Sequence, residues 1–182
     1  MNDTLQNTAK DDSGELWGRE GFREDPYVTA ETFEETGDAP AIILPLAVWL
    51  GLDEEVRTAT NRKIGVSIAP GESIDPLLPL LDSIPVIALQ FPAFTDGRSY
   101  SKAEILKNQH QFKGELRAVG NVLIDQVAYM LRTGFDTMKV THAVTLTRLA
   151  EHDLHDAPGY YQPGRGSHTV PGAYSWRRVP GA

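Results

Sequence analysis

Six consecutive residues, Asp96-Gly97-Arg98-Ser99-Tyr100-Ser101, set a carboxylate, a guanidinium, two hydroxyls and a phenol around one glycine. Such a set suits a small oxyanion. The guanidinium offers a planar fork of donors, and a neighbouring carboxylate can handle a proton. A second pair follows at Glu115 and Arg117. Two apart on an extended chain, they share one strand face, while Leu116 and Ala118 share the other. On an interior strand neither charge is tolerated alone, because burying an unpaired ion costs several kcal/mol. Arg117 therefore requires a carboxylate, with Glu115, Asp96 and Asp125 as candidates, or a bound anion. Plainer readings of the same residues stand beside these. Asp96-Gly97 is also a turn signal with Ser101 capping a helix, and on an edge strand Glu115 and Arg117 are simply solvated. Asp125, Tyr129 and Arg132 form one polar stripe on an otherwise apolar helix, the usual pattern of a wet face.

Short apolar runs at Ala41 to Leu50, Ile64 to Ala69, Val86 to Phe91, Glu115 to Val119 and Met138 to Thr141 must position these groups. From the second run onward their starts lie 22 to 29 residues apart, close to the ~30 of a strand plus crossover helix. The spacing predicts an α/β fold: a mostly parallel sheet of about five strands with flanking helices, arranged as a flat sheet or a partial barrel. Four strands are expected to run parallel, with Ala41 to Leu50 at one side. Asp75-Pro76 reads as N-cap and first residue of a short helix, and Ser101-Lys102-Ala103-Glu104 as a capping box opening a helix to about His110. Asn121 reads as the N-cap of a helix over 122–133 that Gly134 ends, and a last helix is expected over Ala143 to Asp153.

In open parallel sheets, ligands gather beyond the carboxyl ends of strands. That rule selects the loops Ala69 to Ser73, Pro92 to Ser101, Gly120-Asn121 and Thr141-His142. The candidate binding residues are accordingly Arg98, Ser99, Tyr100, Ser101, Arg117, Gly120, Asn121, Asp125 and Gln126. Arg98 and Arg117 are expected to converge as an anion clamp, with amides at Ser101 and Asn121 donating and Asp96 or Glu115 as the candidate catalytic groups moving protons. His142 follows the last strand on that same side.

Net charge is −8, from 25 acidic and 17 basic residues. Residues 1–38 hold eleven acids and three bases, so this stretch accounts for the whole excess and the rest of the chain is balanced. The composition predicts a solvated or loosely docked acidic arm over 1–38, which Trp17, Phe22, Tyr27 and Phe33 could anchor, one α/β domain over 39–156, and a Pro/Gly-rich tail over 157–182. No basic footprint for nucleic acid or an anionic membrane surface is present. The absence of cysteine excludes disulfides, thiolate metal sites and a cysteine nucleophile. Neither a dinucleotide fingerprint nor a phosphate-binding loop motif occurs, so no cofactor is expected. His152 and His155 with their acidic neighbours read as a solvated polar cluster, so no metal is expected either. The N-terminal stretch lacks a basic segment followed by an apolar run, and no stretch approaches a membrane span, which predicts a cytoplasmic protein.

Phe91-Pro92-Ala93-Phe94 running into Asp96-Gly97-Arg98 and Tyr100-Ser101, then Gly114-Glu115-Leu116-Arg117-Ala118-Val119-Gly120-Asn121-Val122, then Asp125-Gln126 and Gly134-Phe135-Asp136, form a long ordered motif chain. It resembles the bacterial family called domain of unknown function 934, over roughly 40–140. Members are typically encoded beside the assimilatory sulfite reductase. The resemblance implies a role in reducing sulfate or sulfite, either as an accessory protein that docks on sulfite reductase or another sulfur-assimilation enzyme, or as a protein that binds or converts a small sulfur oxyanion.

Overall fold

The computed structural model describes residues 14–58 and 62–151. One sheet runs through them. Its strands are β1 (Glu15–Gly18), β2 (Gly21–Arg23), β3 (Val28–Thr29), β4 (Ala41–Pro45), β5 (Lys63–Ile68), β6 (Val86–Phe91), β7 (Glu115–Gly120) and β8 (Thr137–Val140). Their spatial order is β2-β1-β8-β7-β6-β5-β4-β3. The expected α/β class holds, but the sheet has eight strands rather than about five. Strands β3 to β8 are parallel, whereas β1 pairs antiparallel with both β2 and β8.

The three extra strands come from the acidic N-terminal stretch. Its apolar residues decide this: Leu16 and Trp17 are 1% and 3% exposed, with Trp17 opposite Met138. From Glu15 onward, strands β1 to β3 of this stretch pair into the sheet, and of its expected anchors Trp17 and Tyr27 are buried; residues 1–13 and the 157–182 tail lie outside the described residues, as do His152 and His155.

The parallel strands β4 to β8 follow one another in sequence order, with no reversal. Right-handed crossovers then place every intervening helix on the same side of the sheet. These are α1 (Leu46–Gly51), α2 (Glu54–Arg57), a 3-10 segment (Asp75–Ser83), α3 (Arg98–Glu104) and α4 (Ile124–Thr133); α5 (Ala143–Ala150) follows β8. The helix-covered face is bulky: Ile42, Leu44, Val66, Leu89, Phe91 and Met138 join Trp49, Leu77, Leu106, Val127 and Leu149 in one core. The opposite face mixes small residues, Ala41, Gly65, Ser67 and Ala88, with Ile43 and Val86, and packs a second cluster with Tyr27.

Sheet order and chain length together force curvature. Strands β2 and β3 form opposite edges, so a flat sheet would separate them by seven spacings, roughly 34 Å. Four residues join them, and an extended chain of that length reaches at most about 18 Å. The sheet therefore curls into a half-barrel, small residues inward, and residues 24–27 bridge its open side. Of the two arrangements expected, the partial barrel is the one that forms.

Local boundaries differ from expectation where caps compete. The run Ala41 to Leu50 splits, because Pro45 ends the strand and α1 begins at Leu46. Asp75-Pro76 opens a 3-10 segment containing Pro79, not an α-helix. Helix α3 starts at Arg98 after Gly97, so Ser101 sits inside it and caps nothing; a π-turn, Ile105–Gln109, extends it. Helix α4 starts at Ile124, because the Gln126 side chain accepts from the Leu123 amide, 3.0 Å, and takes the capping role expected of Asn121. Gly134 ends α4 in the left-handed conformation, as expected.

Gly120 has φ +100, and a Cβ there would lie 2.5 Å from the Phe91 carbonyl oxygen. Gly120→Ala is expected to cost at least about 2 kcal/mol in chemical denaturation. Gly51→Ala, in a helix with open space around it, is expected to be neutral or slightly stabilising.

Candidate functional site

The sequence candidates separate into a rim at the carboxyl ends of the strands and an ion cluster inside the half-barrel. At the rim, Arg98 lies in the first turn of α3 with its side chain 64% exposed. Its Nε and Nη2 donate to Asp96 at 2.9 and 2.7 Å, and its amide adds a longer bond. The Arg98 guanidinium beside Asp96 holds that carboxyl below its ordinary value. Ser99 is buried and donates to the Gln90 carbonyl, 2.7 Å. Tyr100 packs edge-on against Phe91 and Tyr129, and burial, reinforced by Tyr129, pushes its phenol up to about 12. Ser101, Asn121 and Asp125 are exposed, while Gln126 is buried in its capping role. The Asn121 amide is spent on the Phe91 carbonyl, 2.7 Å, and cannot meet an anion. His142 caps α5, its Nδ1 accepting from the Thr145 amide.

Inside the curl, Arg117 is 1% exposed. Its Nε donates to Glu115 at 2.9 Å, and its Nη1 reaches both oxygens of Asp25 at 2.9 Å. Asp25 also takes the Lys139 ammonium at 2.9 Å and the Tyr27 amide at 3.0 Å. Glu115 accepts from Thr137, 2.6 Å, and pairs with Arg23, 2.9 Å. Tyr27 stacks under the guanidinium, 5.3 Å from ring centre to Cζ. Burial alone would raise the Asp25 carboxyl; the Lys139 hydrogen bond and the Arg117 charge outweigh it and leave the group below its ordinary 3.8.

Arg98 and Arg117 therefore do not form the expected clamp. Each guanidinium has its own carboxylate, one at the wet rim and the other on the inner face, toward the amino half of β7. Of the proposed partners for Arg117, Glu115 is correct, Asp96 belongs to Arg98, and Asp125 lies in the exposed first turn of α4.

Three contributing residues escaped sequence reasoning. Asp25 has a local signal, an Asp-Pro-Tyr turn in which the carboxylate accepts an amide two residues on, but nothing local indicates its distant partners. Lys139 looks like any strand lysine. Lys102 donates to the carbonyls of Ala69 and Pro70, 2.6 and 3.0 Å, pinning α3 to the loop after β5; burial lowers its amine, with Glu72 opposing and Arg98 assisting.

The fold and site define a parallel α/β half-barrel protein closed by an internal ion cluster. Among the described residues no group of three or more histidines and carboxylates is placed to hold a metal, and no helix is long and apolar enough to cross a membrane. The family model described as a bacterial protein of unknown function, DUF934, matches residues 65–171, more than half of the chain. The chain belongs to that family. No curated protein matches it.

A carboxylate with a depressed pKa stabilises the fold above its unfolded value and loses that contribution as pH falls through the folded one. Wild-type stability is expected to decline below about pH 4, the unfolded pKa of an aspartate. Asp25→Asn is expected to cost about 3–5 kcal/mol at neutral pH, the magnitude for breaking one member of a buried pair, and to flatten that acid decline. Urea denaturation at several pH values measures both. Arg98→Ala is expected to leave the unfolding midpoint unchanged, since its pair is at the wet rim.

Proposed function

We propose that the protein is an accessory protein of assimilatory sulfate and sulfite reduction that docks on sulfite reductase or a related sulfur-assimilation enzyme. The genomic neighbourhood typical of the family suggests the pathway. The rim suggests the mode of action: Phe94, 53% exposed, stands in the loop between β6 and α3, two residues before Asp96 of the Asp96–Arg98 pair. An exposed aromatic next to an oriented arginine is the side-chain combination that carries energy at protein interfaces. Reducing sulfite requires electrons, and the sequence offers neither a cysteine nor a nucleotide fingerprint to supply them. In this reading the partner does the chemistry and this chain supplies a surface.

Affinity capture with purified sulfite reductase tests the proposal. The full chain is expected to retain the reductase, and Phe94→Ala combined with Arg98→Ala to weaken retention at least about tenfold, the loss of one hot-spot contact. Failure of the wild-type chain to bind the reductase, together with tight calorimetric binding of sulfite or sulfate, would overturn it in favour of an anion-handling protein.

A further inference from the structure

Arg117 leaves one donor group unused. Its Nε and Nη1 are bonded, but Nη2 is buried with no hydrogen-bond partner among the described residues. Buried side-chain donors are rarely left so, because each forfeits its solvation without replacement. The orphan belongs to a guanidinium on the inner face, where the Lys139 ammonium approaches the same carboxylate from the adjacent strand. The seat of Asp25 is thus framed by two cations on neighbouring strands, with Glu115 on the Nε side of the same guanidinium, and by one Arg117 donor that Asp25, both of whose oxygens lie on Nη1, leaves unsatisfied among the described residues. Asp25 itself is delivered by the short bridge of residues 24–27. That bridge lies across the open side of the curl, and of its four side chains only Tyr27 is buried.

We propose that this seat is a site for a small oxyanion with three or more oxygens, of the sulfite, sulfate or phosphate class, which Asp25 fills from within in the present state. Such an anion presents two oxygens to the Arg117 fork, so that Nη1 and Nη2 are both engaged, and a third to Lys139. It displaces the Asp25 carboxylate and, with it, the Glu24–Tyr27 bridge. No bond forms or breaks in the exchange. The proposal rests on the inner cluster alone and is independent of docking at the rim.

Calorimetric titration of the full chain with sulfite, sulfate, phosphate and acetate, at ionic strength held constant with chloride, tests it. Asp25→Ala is expected to bind one of the three-or-more-oxygen anions saturably and at least about tenfold more tightly than wild type, with acetate weaker. Adding Arg117→Lys to Asp25→Ala is expected to abolish that binding. In the wild type, hydrogen exchange at the Tyr27 amide, which donates to Asp25, is expected to quicken as the anion saturates. A folded Asp25→Ala protein that binds none of these anions, or one that binds them equally after Arg117→Lys, would overturn the proposal. Should Asp25→Ala fail to fold, the wild-type exchange experiment decides: a Tyr27 amide indifferent to all three oxyanions contradicts it.

Discussion

A guanidinium buried on an inner strand has to be neutralised, and the carboxylate that closes over Arg117 lies 92 residues earlier in the chain. Asp25 reaches it because β2 and β3 stand at opposite edges of one sheet and four residues join them. The ion pair and the curvature are thus the same constraint seen from two sides. Without the curl the bridge could not span the edges, and without Asp25 the Arg117 Nη1 would lose its carboxylate and leave Glu115 alone to face the buried guanidinium. Lys139 and Glu115 extend the pairing to the rest of the inner face, and Arg23 ties β2 to β7. Tyr27 clusters there with Ala41, Ile43, Val86 and Ala88, and the missing Cβ at Gly65 makes room for Val86 and Ile43.

The parallel core was legible in the sequence because its signals are local. Runs of Val, Ile and Leu separated by a strand-plus-helix interval require no knowledge of distant residues, and Gly134 announces a helix end by its own conformational freedom. Pairing between distant segments was not legible. Eleven acids in the first 38 residues read as a solvated or loosely docked arm; Trp17 and Tyr27, named as possible anchors, are indeed buried, but the pairing of β1 with β8 leaves no local signal. The candidate site divides along the same line. The residue types at Arg98, Glu115 and Arg117 announced charge in need of partners, and Glu115 was found at its spacing of two. Asp25 and Lys139 were missed because a salt bridge across 92 or 114 residues leaves no periodicity.

This division also bears on function. The rim, where parallel folds usually keep their ligands, here offers an exposed aromatic and an arginine already held by its own carboxylate, which suits contact with another macromolecule. The inner face holds the greater density of buried charge: Glu115, Arg117 and Lys139 belong to strands, while Asp25 is carried by the bridge. The two proposals thus fall on different parts of the fold, docking at the rim and anion exchange inside the curl.

The most direct test of the account is a double-mutant cycle between Asp25 and Arg117, using Asp25→Asn, Arg117→Met and the pair, with unfolding free energies from urea denaturation at neutral pH. If the bridge and the curled sheet are locked by this contact, the two substitutions should be strongly non-additive, with a coupling energy of about 2 kcal/mol or more. Additivity within about 0.5 kcal/mol, the behaviour of independent sites, would contradict it and leave the curvature to the short bridge and side-chain packing.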